Sequence, residues 1–446
     1  MIFPTNHRWK ELERGTKFSF LLVVSIYLVV ATIGYLKPGP SEKDRQVYAW
    51  VSSNYELGLI TAKGYNLSAL GVTSTVYLGE CQVYIMAPPI YHILLTGVFA
   101  LSGQDWRSLR LGPIFFGLIY LYGCLALAVK FFKGQQRSWL LFFALTPMIL
   151  IFSAWNDLRG TTMGILIIAY LCFTNYLESG KIRWVVWSGV FYVLAFWIDY
   201  AALAIVPAIL LQILFHPSLT NRKRTEGFTV FAGFVVISAI ISVVHFTALP
   251  GGVDWFTTRI AERFSNRRPG MGGGNAYSIQ DFAAMQMIRF ATHFTPISIF
   301  LAGWAFVLAM VKLVRRQIVP VPQNGYVTVD PYVTLLVLFT WGIPNQTGIQ
   351  VAYIHPLFMY YFTGFFAFAP VLGLASISQR FRSTSLRQFI VSATLVGFML
   401  LSVGRSVFNL IGGSLFDLVM GVNSPPAQLY TVEQLKYFTC HSWQVK

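Results

Sequence analysis

The stretch IFSAWNDLRGTT, residues 151–162, sets Asp157 and Arg159 between two apolar runs, LLFFALTPMIL before it and MGILIIAYLCF after it. With their shoulders, both runs reach the length at which a helix crosses about 30 Å of hydrocarbon. The pattern recurs along the chain: 55% of the 446 residues are hydrophobic and 11% are charged. The apolar residues fall in blocks of roughly 17 to 25, each the length of one spanning helix. Such blocks predict an all-α fold, a polytopic transmembrane helix bundle, because a helix satisfies its backbone amides within one segment and so survives in lipid. The first run, FSFLLVVSIYLVVATIGYL, is longer than a signal-peptide core and has no small-residue cleavage pattern before Lys37, so a retained span is expected there.

Charge predicts the orientation. Runs at about residues 18–36, 108–129, 138–154, 161–177, 184–198, 200–215, 228–247, 291–311, 331–343, 356–377 and 388–404 leave alternate connections that read HRWKELERGTK, KFFKGQQR, ESGKIR, HPSLTNRKRTEG, VKLVRRQ and QRFRSTSLRQ. Short connections dense in Lys and Arg stay on the cytoplasmic side. The expectation is therefore about eleven spans with the N-terminus inside and the C-terminus outside. The net charge of +16 is accounted for by this retention and by membrane lipids, so nucleic acid is excluded as a partner. Cys81, Cys124, Cys172 and Cys440 show no CxxC or Cys/His spacing and read as ordinary apolar residues.

The acids sort to the opposite face. Glu42, Asp44, Glu56, Glu80, Asp105, Asp157, Asp199, Asp254, Glu262, Asp281, Asp417 and Glu433 all fall on the outer side of this topology. The long connections, 37–107 and 248–290, are outer too, and long connections are usually functional. In the first, Val47, Tyr48, Val51 and Tyr55 recur at helical spacing, which predicts a helix on the membrane surface with Asp44 at its start. The later run behind Pro88-Pro89 is short and carries His92, so it is expected to lie at the interface or dip into the membrane rather than span it. The loop RIAERFSNRRPGMGGGNAY offers Arg267 and Arg268 to an anion, and its glycines read as a hinge. Asp199 reads as a turn residue between two helices, His245 and His293 as satisfied helix residues, and His355 as either a helix start or a substrate contact.

The order of these features resembles the GT-C superfamily, above all its protein O-mannosyltransferase and lipid A aminoarabinose transferase branch. The residues that carry the resemblance are Asp44 followed by Tyr48-Ala49, Glu80 ahead of Pro88-Pro89 and Tyr91, RLGP at 110–113, Thr146-Pro147, SAWNDLRG with Asp157, and WIDYAALAIVPAILLQILF. Two positions depart from the family pattern: the usual Asp-Glu pair reads Asp44-Arg45, and Ala87 stands where a Lys often precedes Pro-Pro. The resemblance covers residues 18–216, a core module with outer loops 37–107 and 154–161. Residues 217–446 then form variable C-terminal helices with outer loop 248–290, all within one integral membrane domain, 1–446.

The resemblance implies an inverting glycosyltransferase in the cell membrane that moves a sugar from a polyprenyl-phosphate donor to a lipid, glycan or protein acceptor at the extracytoplasmic face. Asp44 and Asp157 are the implied catalytic residues, and Glu80, Tyr48, Arg159, Arg267, Arg268 and His355 the implied substrate-binding ones. Such chemistry needs a carboxylate to take the acceptor proton and cations to hold the leaving phosphate. No cofactor is certain, and a divalent metal stays open. Two other readings stay open as well: a transporter or flippase of a lipid-linked or anionic substrate, and a non-catalytic subunit of the same fold. A transporter would show paired repeats and ionisable groups at mid-span, and no repeat is evident.

Overall fold

A computed structural model of the chain describes residues 14–36, 75–78, 81–84, 90–103, 105–131, 136–152, 158–216, 219–247, 257, 279–315, 321–323, 326–328, 331–347 and 361–410. The fold is an all-α membrane bundle. Its helices are α1 (Arg14–Leu36), α2 (Ile90–Ser102), α3 (Leu111–Phe131), α4 (Gln136–Ala144), α5 (Pro147–Phe152), α6 (Leu158–Ser179), α7 (Ile182–Phe196), α8 (Ile205–Phe215), α9 (Asn221–Thr247), α10 (Ile279–His293), α11 (Pro296–Val314), α12 (Pro331–Thr347), α13 (Thr363–Ser378) and α14 (Thr384–Leu410). Two small antiparallel hairpins join them, β1 (Thr75–Leu78) with β2 (Cys81–Tyr84) and β3 (Val321–Gln323) with β4 (Tyr326–Thr328). Among the described residues, six helices are long and apolar enough to cross a membrane. The chain is an integral membrane protein.

Helix α6 is the axis. Every residue from Thr161 to Thr174 is buried, as a helix that is apolar all round requires. Helices α3 and α7 pack along it. Helices α9 and α14 stand at the rim, where Val236, Ile240 and Val244, and Phe389, Val396 and Leu400, are exposed. In water such faces would aggregate, whereas in a bilayer they meet lipid tails.

Because lipid tails are as apolar as leucine, the helices must be held by close contact and hydrogen bonds. Gly373 of α13 lies so near α11 that a Cβ there would stand 2.2 Å from the Leu301 carbonyl oxygen. Tyr120 of α3 shares a hydrogen bond with Thr363 at 2.8 Å, and Tyr170 of α6 shares one with Thr334 of α12 at 3.2 Å. Cys124 and Cys172 are buried and free, as apolar residues would be.

The structure refines two of the expected spans. The run at 138–154 is two helices, α4 and α5, because Pro147 has no amide to continue the ladder and Thr146 instead bonds back to the Phe142 carbonyl at 2.6 Å. The run at 291–311 likewise begins behind a break: α10 ends at His293, and Thr295 caps α11 by accepting from the Ser298 amide, with Pro296 in the first turn. The surface helix expected from Asp44 lies outside the described residues.

Candidate functional site

The two ends of the bundle differ in chemistry. At one end Lys130, from the last turn of α3, reaches Glu178 at 3.0 Å and Thr174 and Asn175 at 2.9 Å. Tyr176 donates to the Lys223 carbonyl at the start of α9, and Arg224 donates to the His216 carbonyl at 2.9 Å. Lys130, Glu178 and Lys223 come from three of the basic connections read from the sequence, and the fold gathers them at one end.

The other end begins at Arg110. Its guanidinium donates to the Gly34 carbonyl at 2.6 Å and the Tyr35 carbonyl at 3.2 Å. Those are free carbonyls at the C-terminus of α1, where a cation is favoured. The arginine of RLGP thus fastens α1 to α3.

Asp199 lies at the same end, because α6 and α7 form a tight hairpin that returns the chain beside the start of α6. Its carboxylate caps the short 3-10 turn Tyr200–Ala204 by accepting from the Ala201 amide at 3.1 Å. It also accepts from the Tyr361 hydroxyl, just before α13. Arg159 sits half-buried in the first turn of α6, one turn before Met163. Met163 borders Gly364, whose Cβ would lie 3.9 Å from the methionine methyl. Residues four apart share a helix face, so Arg159 and the Asp199–Tyr361 pair belong to one region.

Helix α10 completes this end. Phe290 meets Phe362 edge to face beside Tyr361, and Phe294 stacks on Phe366 with the ring centroids 4.2 Å apart. On the same helix Arg289 is buried. The His293 Nδ1 lies 2.9 Å from the Arg289 carbonyl oxygen, and Arg405 of α14 donates to the Ala291 carbonyl at 3.1 Å.

Of the substrate-binding and catalytic residues expected from the sequence, Arg159 is described, half-buried in the first turn of α6. Asp44, Tyr48, Glu80, Asp157, Arg267, Arg268 and His355 lie outside the described residues. Among the described residues no group of three or more His, Cys, Asp or Glu side chains is placed to hold a metal ion. The sequence reading passed over Arg289, Tyr361 and Arg405. The signal for the two arginines was present, since MQMIRFATHF and LLSVGRSVFNL each set one Arg among apolar residues at the edge of an expected span. Nothing in the sequence joined Tyr361 to Asp199.

No protein-family profile and no curated protein matches the sequence. Solved structures do. The oligosaccharyltransferase of Archaeoglobus fulgidus, crystallised with zinc and sulfate, superposes on 94% of this chain with a TM-score of 0.50 and 16% identity. The chain spans 59% of the length of that protein. ArnT from Cupriavidus metallidurans, bound to undecaprenyl phosphate, superposes on 88% of this chain and 72% of its own, with a TM-score of 0.51 and 14% identity. At such identities the likeness is one of architecture, and it extends the resemblance seen at residues 18–216 through the C-terminal helices. The chain has the GT-C fold.

Proposed function

We propose that this chain is an inverting membrane glycosyltransferase that moves a sugar from a polyprenyl-phosphate donor to a lipid, glycan or protein acceptor at the outer face of the cell membrane. The observation that carries the reading is the superposition on ArnT, itself bound to undecaprenyl phosphate. The gathering of Arg159, Asp199 and Tyr361 at the end of the bundle away from the Lys130–Glu178 cluster supports it. In this reading about eleven spans run with the N-terminus inside and the C-terminus outside, residues 18–216 form the core module, and 37–107, 154–161 and 248–290 are its outer loops.

The reaction is a single displacement. The acceptor oxygen attacks the anomeric carbon while its proton passes to the Asp44 carboxylate, and the bond from that carbon to the phosphate oxygen breaks. Polyprenyl phosphate leaves with its electron pair, and Arg159, Arg267 and Arg268 take up the growing charge. Asp157 orients a substrate hydroxyl beside them, with Tyr48, Glu80 and His355 lining the sugar. Incubating the purified protein with radiolabelled polyprenyl-phosphate sugars and membranes of its host tests the reading. Label is expected in an acceptor. Label that crosses the bilayer still attached to its lipid would favour a flippase instead.

A further inference from the structure

On α10, Gln286, Arg289 and His293 recur at spacings of three and four, so they form one stripe along one helix face. Gln286 is 7% exposed and Arg289 2%. On α14, Ser402 and Ser406 are fully buried, Ser406 donating to the Ser402 carbonyl at 2.8 Å, and Arg405 lies between them. The two stripes meet where Arg405 donates to the Ala291 carbonyl. Both guanidiniums act electrostatically on the His293 imidazole, which places the three basic groups in one cluster. Ser402 Oγ and Arg405 Nε are buried with no hydrogen-bond partner among the described residues.

A polar seam of this kind is out of place on these helices. Helix α14 is a rim helix, with Leu400 and Leu401 exposed to lipid, and Met287 is exposed on α10. Ionisable groups inside a membrane are costly, and they persist where they meet a substrate or an ion. Depth narrows the choice of ligand. The 27 residues of α14 make a helix of about 40 Å, longer than the roughly 30 Å hydrocarbon core. Arg405, near its C-terminal end, therefore stands at headgroup level. Beside it Gly404 borders open space, with nothing within 4 Å of where a Cβ would be. A headgroup can approach from the bilayer there. Two arginine forks and serine hydroxyls match the oxygens of a phosphate better than any neutral headgroup.

We infer that the seam between α10 and α14 is an anion subsite that holds the phosphate of a lipid headgroup. The phosphate has two candidate sources, the polyprenyl phosphate of the proposed donor and an anionic phospholipid of the same leaflet. Only the first source rests on the transferase reading.

Native mass spectrometry of the full chain, released from micelles doped with undecaprenyl phosphate, phosphatidylglycerol or phosphatidylcholine, tests the subsite. The wild type is expected to retain one phosphate-bearing anionic lipid and to lose phosphatidylcholine. Arg405→Gln should reduce the retained fraction at least tenfold and Arg289→Gln should do the same, while Arg405→Lys keeps part of it and Arg380→Gln, a basic residue in the turn after α13, leaves it unchanged. Melting curves taken alongside show that each variant is folded. If Arg405→Gln does not fold, Arg405→Lys with Ser402→Ala carries the test by the same retained fraction. Preferential retention of undecaprenyl phosphate identifies the donor, and retention of phosphatidylglycerol alone identifies a leaflet lipid. Equal retention of phosphatidylcholine, or full retention by folded Arg405→Gln, overturns the subsite, whatever the fate of sugar transfer.

Discussion

Tyr361 donates its phenolic hydrogen bond to the Asp199 carboxylate, tying the turn after α7 to the start of α13 across 162 residues of sequence. The bond joins the first half of the chain to the start of α13 in the second. Tyr361→Phe keeps the buried ring and removes the donor, leaving Asp199 its bond from the Ala201 amide. A hydrogen bond to a charged group contributes about 1.5–3 kcal/mol, so the melting midpoint should fall with the fold intact. A midpoint equal to the wild type would show that the pair does not fasten the two parts.

Gly373 makes a second test of assembly. Alanine there would put its methyl carbon 2.2 Å from the Leu301 carbonyl oxygen, which belongs to the backbone and cannot swing aside. Helices α11 and α13 would have to part, at an overpacking cost of about 1–3 kcal/mol. Gly303→Ala on α11 is the control, since nothing lies within 4 Å of its Cβ position. Thermal unfolding in detergent should separate the two variants, with Gly373→Ala the less stable.

The helices were legible because lipid forces one signal, an apolar run of fixed length, on every span. Breaks inside a run were harder to see. The run at 138–154 contains Pro147, yet its overall hydropathy reads as one span, and only the back-bond of Thr146 to Phe142 shows where the ladder is interrupted. The candidate site was legible in part. Arg159 stood out as a charge between two greasy runs, and its place in the first turn of α6 follows from that pattern. Asp199 read as a turn residue, which its cap of Ala201 makes it. Its second partner comes from a distant part of the chain, and no local pattern encodes such a meeting. Arg289 and Arg405 were visible as isolated charges but acquire meaning only where Arg405 of α14 reaches the Ala291 carbonyl of α10.

Cysteine accessibility tests the proposed sidedness. In sealed, right-side-out vesicles an impermeant maleimide should label Asp157→Cys and Arg267→Cys from outside and spare Arg222→Cys and Arg382→Cys. The variants carry Cys81→Ser and Cys440→Ser as well, because both native cysteines fall on the outer side of this topology, while Cys124 and Cys172 are buried. Labelling at position 222 from outside would reverse the bundle and move the proposed site to the wrong face.

Acid should weaken the fold through His216. This residue follows α8, and burial, assisted by the nearby Arg224 guanidinium, pushes its imidazole down to about 4. The unfolded chain takes up the proton near pH 6.5, so between that value and about 4 it binds more protons than the folded chain, and stability falls as the pH falls. The melting midpoint of the wild type should drop across that window, and His216→Gln should drop less. Identical pH profiles would assign the loss to other groups.

The central claim is that the outer mouth transfers a sugar with Asp44 as the base. The most direct measurement compares transfer from a radiolabelled polyprenyl-phosphate sugar by the wild type, Asp44→Asn and Glu42→Gln, each purified and matched for melting midpoint and donor binding. Loss of a general base typically lowers rate about 10²- to 10⁴-fold, so Asp44→Asn should fall by that much, with donor still bound, while Glu42→Gln stays near the wild type. Near-normal transfer by Asp44→Asn would contradict the account.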